Sequence, residues 1–248
     1  MMGSSHAATG LLTGAVVGAL AGTEWTDVLV CAAVGAGAAL LPDLDEPGST
    51  VGRSLGLVSE KTSEGLRALS RRVYAATSTE REGRGDGGHR HLTHTVPAVL
   101  VFGALGWLVA LFQPVGTALV VLAMAALGAG TVARSLKGWG PLRTRRRAAL
   151  VVAIVLAVVA AFAPGGAAWM IGLTVAVGAL THVLGDWLTR SGVPLAWPFV
   201  HRGKRWWMFR SPVAFHTGKS PVEVAIRWVS LAGTPVVAFL AVPTVPVG

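Results

Sequence analysis

Three histidines within six residues, His89-Arg90-His91-Leu92-Thr93-His94, stand immediately before a long apolar run. Packing gives no reason for such a cluster, whereas metal ligation and proton transfer do. His182 and Asp186 are four apart in an apolar stretch, so on a helix they share one face about one turn apart. Asp43 and Asp45 follow Pro42, and two carboxylates so spaced in a loop can approach a hard or borderline cation. His6 adds a further ligand type. Each has a plain reading on its own: His-x-x-x-Asp recurs without a site, and acidic residues after proline are an ordinary helix stop. What joins them is position, because all lie just off the same end of apolar segments.

Those segments dominate the chain. Of 248 residues, 52% are hydrophobic and 13% charged, and the mean hydropathy is +0.60. Soluble proteins average about 25% charged residues, which excludes this chain from their class. Cys31 is the only cysteine, so an intramolecular disulfide and any zinc site with two or more thiolates are excluded. A metal would be held mainly by nitrogen and oxygen. Seven apolar stretches, about 7–22, 27–42, 95–112, 115–133, 148–163, 166–185 and 224–246, predict an all-α polytopic membrane bundle forming a single domain over 1–248. A full crossing needs about 20 residues, so the first, second and fifth are short. Their glycines are spaced for close helix packing. The first run has no basic residue before it and reads as a span and not a cleaved leader.

The connections alternate. Thr23–Thr26, Gln113–Pro114 and Pro164–Gly165 lack Lys and Arg, whereas 43–94, 134–147 and 186–223 hold every Lys and Arg except Arg227. Basic loops stay in the cytoplasm, which predicts a bacterial inner-membrane protein with its N-terminus inside and its C-terminus outside. The net charge of +9 is then a topology signal, and no nucleic-acid partner is expected. His6, Asp43, Asp45, His89, His94, His182 and Asp186 all fall on the cytoplasmic side. A basic insert spans about 46–88. Within it Leu57 to Ala76 predicts an amphipathic helix on the anionic leaflet, and the Gly-rich 77–88 a mobile linker. Trp187, Trp197, Trp206, Trp207 and Trp228 suit an interfacial aromatic belt. His201 and His216 lack partners at ligand spacing and read as surface residues.

Ser5-His6-Ala7-Ala8-Thr9-Gly10, Leu41-Pro42-Asp43-Leu44-Asp45, His89-Arg90-x-x-Thr93-His94-Thr95 and His182-x-x-x-Asp186-x-x-Thr189 occur in order along the chain. With Gly192-Val193-Pro194-Leu195-x-Trp197-Pro198-Phe199 and Thr217-Gly218-x-Ser220-x-x-Glu223, they resemble the YdjM-like family of LexA-regulated, membrane-bound, metal-dependent hydrolases over nearly the whole length. The chain departs from that pattern at His91, where the family usually has glycine, and in the insert before His89. The family's His/Asp pattern is in turn similar to zinc phospholipases C and zinc nucleases. That resemblance implies a phospholipase C-like site at the cytoplasmic face. It would hold two or more divalent ions, zinc foremost with manganese or magnesium as alternatives. His6, Asp43, His89, His94, His182 and Asp186 would be ligands. Asp45 would bridge metals or orient the attacking water, and Glu223 would ligate or assist; His91, where the chain departs from the pattern, is open as an extra ligand, a supporting group or a bystander. Arg90 and Arg53 are candidates for binding a substrate phosphate, and equally for setting topology or meeting lipid headgroups.

The expected activity is hydrolysis of a phosphate ester of a lipid or lipid-linked substrate, with membrane lipids as partners. The competing reading is a non-enzymatic carrier or metal-binding interaction protein with a structural metal site. Against transport, the spans hold almost no ionisable residue at mid-depth. The chain lacks His-Glu-x-x-His, Gly-x-Ser-x-Gly and Pro-Ser-Gly-His, which argues against zinc proteolysis, a serine hydrolase and a histidine-nucleophile lipid phosphatase.

Overall fold

The computed structural model describes residues 1–83, 85–136, 138, 140–162, 166–218 and 220–241. Among these are eight α-helices: α1 Gly3–Ala21, α2 Trp25–Ala38, α3 Leu57–Thr77, α4 Val96–Ala110, α5 Val115–Ser135, α6 Leu142–Phe162, α7 Ala168–Trp187 and α8 Pro221–Ala241. Short 3-10 turns cover Pro42–Asp45 and Leu92–His94. No strand occurs among the described residues, only isolated bridges such as Val193 with Phe209. The Pro164–Gly165 connection, Arg84, Lys137, Lys219 and the end of the seventh apolar segment beyond Ala241 lie outside the described residues.

Sequence predicts seven apolar segments, but among the described residues four helical stretches are long and apolar enough to cross a membrane: Trp25–Asp45, Val115–Ser135, Ala168–Trp187 and Pro221–Ala241. The shortfall has physical causes. α1 is rich in Gly, Ser and Thr, and α4 has only 15 residues. α6 begins six residues before the expected 148, because Arg143, Arg145, Arg146 and Arg147 are good helix formers and join its first turns.

Bare backbone sets the packing. A Cβ on Gly10 would lie 2.3 Å from the Gly35 carbonyl oxygen, and one on Gly14 would lie 2.1 Å from that of Cys31. α1 and α2 therefore touch main chain to main chain, as small residues permit in an apolar medium. Gly37 meets Met124 of α5 and Gly178 of α7 meets Ala38 in the same way, so α2 is gripped from three sides. Val34, Ala38, Leu40, Val121, Ile171 and Val175 fill the core between these helices.

Local signals fix the helix ends nearest the candidate site. A capping box between Glu24 and Asp27 starts α2, and Pro42 turns its end into the 3-10 segment that carries Asp43 and Asp45. The Thr95 hydroxyl accepts from the Ala98 N–H and starts α4 directly after His94. α3 buries a serine face, Ser59, Ser63 and Ser70, with Tyr74, and leaves Leu57, Val58 and Leu69 exposed. Within the 77–88 stretch, expected as a mobile linker, Thr79 Oγ1 donates to the Gly203 carbonyl at 2.7 Å, and Glu82 Oε1 accepts from the Trp206 N–H at 2.5 Å.

The glycine contacts give a sharp test. Gly35→Val should abolish the monodisperse folded peak in detergent size-exclusion chromatography, since the Gly10 backbone cannot yield. Gly65→Ala, on the open face of α3 with nothing within 4 Å, should keep that peak and gain about 0.5–1 kcal/mol of thermal stability.

Candidate metal centre

Four side chains from three parts of the chain converge: Asp43 after α2, His94 before α4, and His182 and Asp186 on α7, with one ligand atom of each within 4.8 Å of all the others. His182 Nε2 and His94 Nε2 are 3.2 Å apart. Asp43 Oδ1 is 3.6 Å from His182 Nε2 and 3.8 Å from His94 Nε2. Asp186 Oδ2 is 3.7 Å and 3.6 Å from the same two nitrogens. His94, His182 and Asp186 are fully buried, while Asp43 is 16% exposed.

Hydrogen bonding assigns the tautomers. His182 Nδ1 donates to the Ala39 carbonyl at 2.7 Å, which leaves Nε2 with its lone pair. The Thr93 hydroxyl donates to Asp45 Oδ2 at 2.7 Å, so its oxygen is free to accept from His94 Nδ1 at 3.0 Å. His94 Nε2 is then bare as well. Two lone pairs thus face each other at 3.2 Å beside two carboxylates, an arrangement that repels unless a cation lies between. Zinc held about 2.0–2.1 Å from two imidazoles in tetrahedral geometry sets their nitrogens about 3.3 Å apart. Asp186 Oδ2 has no hydrogen-bond donor, although Arg90 Nη2 lies 3.1 Å away. The donor set fits a divalent cation.

The other candidate residues divide into those that support this group and those turned away. His6 stacks on His182 with ring centroids 3.7 Å apart, and its Nε2 is 3.2 Å from Asp186 Oδ1. The amino group of Met1 bonds the same oxygen. His6 Nδ1 is buried without a partner. Asp45, fully buried, accepts from His89 Nδ1 at 2.6 Å, the Arg90 N–H at 3.1 Å and Thr93, so it orients its neighbours. Burial pulls the His89 pKa down, but the hydrogen bond and charge of Asp45, with the charge of Asp43, outweigh it and leave the value raised. Arg90 has a left-handed backbone, φ 60°, and bonds Thr189 Oγ1 at 3.2 Å.

His91, expected as an extra ligand, donates from Nδ1 to the His89 carbonyl and packs edge-on against Tyr74, 4.9 Å between centroids. Burial holds its pKa below the usual histidine value. Glu223 is occupied by the N–H groups of Met2 and Gly218. Arg53 turns to the Gly48 carbonyl at 2.6 Å. None of these three belongs to the four-residue group. The Ala39 carbonyl and the Thr93 hydroxyl are the contributors that sequence reasoning passes over. The adjacency of Thr93 to His94 was the one available signal.

Thr93→Val tests the tautomer argument. It strips a buried Asp45 oxygen and His94 Nδ1 of their shared partner, and such supporting hydrogen bonds are worth about 10–100-fold in metal affinity. Zinc competition against a chromophoric chelator should register that loss, with Thr93→Ser retaining wild-type binding; unchanged affinity in the valine variant would overturn the assignment.

No curated protein and no solved structure matches the chain. The family model described as YdjM inner membrane protein matches residues 1–136 and 147–245. With matched stretches covering nearly its whole length, and four helices fit to cross a bilayer, the chain is a membrane protein and belongs to the YdjM inner membrane protein family.

Proposed function

We propose that this chain is a metal-dependent hydrolase that cleaves a phosphate ester of a lipid or lipid-linked substrate from the cytoplasmic face of the membrane. The observation that carries the reading is the pair of bare imidazole nitrogens 3.2 Å apart, flanked by Asp43 and Asp186. A bound dication, zinc by the donor set, would activate water for attack and draw charge from the phosphoryl oxygens. A second ion, as the family resemblance implies, would have to draw on His89, Asp45 and His6.

The chain's own groups define the direction of approach. Asp43, His89 and Arg90 have side chains 16%, 32% and 16% exposed, whereas His6, Asp45, His94, His182 and Asp186 are sealed. Substrate therefore enters over Asp43, His89 and Arg90. The Arg90 guanidinium, already beside Asp186, can orient a phosphate through paired N–H donors. The His89–Asp45 pair holds a proton at the exposed edge of the site. The location of these residues off the ends of apolar helices favours a substrate whose headgroup lies at that depth.

A structural metal site is the second reading, and one observation favours it: four protein donors already fill a tetrahedral ion, whereas catalytic zinc keeps a position open. The two part on activity. Elemental analysis of detergent-purified protein should give at least one zinc or manganese per chain, lost in both His94→Ala and Asp186→Asn. Phosphate or headgroup release from a panel of phospholipid vesicles should fall at least about 100-fold in Arg90→Gln with metal content unchanged, as for loss of a transition-state contact. Metal without turnover on any member of the panel would leave the structural reading, and protein that takes up no metal would sink both.

A further inference from the structure

Away from the metal centre, a second concentration of charge lies between α5 and α6. Arg143, Arg146 and Arg147 occupy the first turns of α6, and with Leu150 one turn further on they form a single helix face. That face lines a cavity of about 540 Å³, whose opposite wall is Ala126 and Gly130 of α5 with Ser54 and Leu55 of the insert. The volume is within the usual range for small-ligand sites, about 300–1,000 Å³.

The arginines have no acidic partners. The ion pairs of the described residues engage Glu46, Glu64 and Asp86 with α3, and Asp43, Asp45 and Asp186 within the metal centre. None involves Arg143, Arg145, Arg146 or Arg147. Arg145 donates to the Ala133 carbonyl at 2.7 Å and Arg146 to the Ser54 carbonyl at 3.0 Å. Arg143 and Arg147 make no hydrogen bond to a described residue. Three guanidinium groups around one cavity repel each other unless an anion joins them. Arginines that only fix topology need positive charge in a loop, and need neither a cavity nor a shared helix face.

The chemistry of the lining selects the anion. Guanidinium groups meet phosphate with paired N–H donors. Apart from Ser54, the rest of the wall is apolar, Leu55, Ala126, Gly130, Leu142, Ala149 and Leu150, which suits a hydrocarbon tail better than a hydrated ion. Basic pockets beside membrane helices recognise anionic lipid headgroups, and α5 is one of the four stretches fit to cross. We propose that the α5–α6 cavity is a binding site for an anionic phospholipid of the phosphatidylglycerol class, its phosphate held by Arg143, Arg146 and Arg147 and its acyl chain lying along Ala126, Gly130 and Leu150. Arg143 and Arg146 fall outside the stretches matched by the family model, whereas Arg147 falls within them. The site is independent of the metal reading.

The test is lipid binding to the full chain in detergent, read by native mass spectrometry and by titration with phosphatidylglycerol, phosphatidylcholine or inorganic phosphate. Phosphatidylglycerol should bind at least about tenfold more tightly than phosphatidylcholine. Arg143→Gln/Arg147→Gln, which spares the Arg146 bond to Ser54, should weaken it by about 30-fold, as expected for two arginines near a lipid surface. Gly130→Leu keeps every charge and extends into the cavity from the other wall, and its Cβ would meet only Ser54, at an ordinary 3.8 Å; its folded state is checked by the size-exclusion peak. This variant should lose phosphatidylglycerol as well. Equal binding of the two lipids, undiminished binding in either variant, or inorganic phosphate binding as tightly as the lipid would each overturn the proposal.

Discussion

Two imidazole nitrogens with lone pairs 3.2 Å apart, sealed from water beside two carboxylates, are the constraint around which this bundle is arranged. In a medium of low dielectric constant such a group is costly unless a cation completes it and every remaining donor and acceptor is satisfied. The surrounding structure meets the second requirement nearly in full. Ala39 takes the far nitrogen of His182, Thr93 takes that of His94, and Asp45 fixes Thr93 and His89 together. Arg90 and the first amino group of the chain balance Asp186. The atoms left over, Asp186 Oδ2 and His6 Nδ1, lie at the cluster and beside it.

The glycine contacts make that geometry possible. Gly178 lets α7 press on α2 at Ala38, and His182, one turn further along α7, then reaches the carbonyl of Ala39. Gly185 makes room for His6: a Cβ there would lie 3.2 Å from the His6 ring. Gly10 and Gly14 hold α1 close enough to α2 for His6 to lie flat on His182. Packing and chemistry thus depend on the same residues, and a side chain added at these glycines would displace ligands as well as helices.

Where local rules govern, the sequence is legible. The i, i+4 spacing of His182 and Asp186 puts both on one face of α7, and Pro42 places Asp43 in a turn at the end of α2. The division of labour within the histidine cluster is not legible, because residues distant in sequence decide it. Tyr74 and Trp206 draw His91 out of line, while Asp45 holds His89. Likewise nothing local distinguishes Asp43, which faces the two bare nitrogens, from Asp45, which faces Thr93. Hydropathy overstates the spans for a related reason: the small residues of α1 serve helix contact and the arginines of α6 extend it beyond its apolar part.

The insert ties both charged regions to one element. Glu46, one residue beyond Asp45, is held by Arg67 of α3 at 3.0 Å, and Ser70 of α3 bonds the Gly87 carbonyl just before His89. At its other end, Ser54 and Arg53 give their carbonyls to Arg146 of α6 and Arg134 of α5. Residues 46–56 therefore run from the acidic turn of the metal centre to the arginine-lined cavity, with hydrogen bonds at both ends. α3 buries its serines inward and leaves Leu57, Val58 and Leu69 exposed. Anchored at the carboxylates and at the arginines, the 46–56 segment couples the two regions, and beyond α3 the chain is joined to the last loop through Thr79 with Gly203 and Glu82 with Trp206.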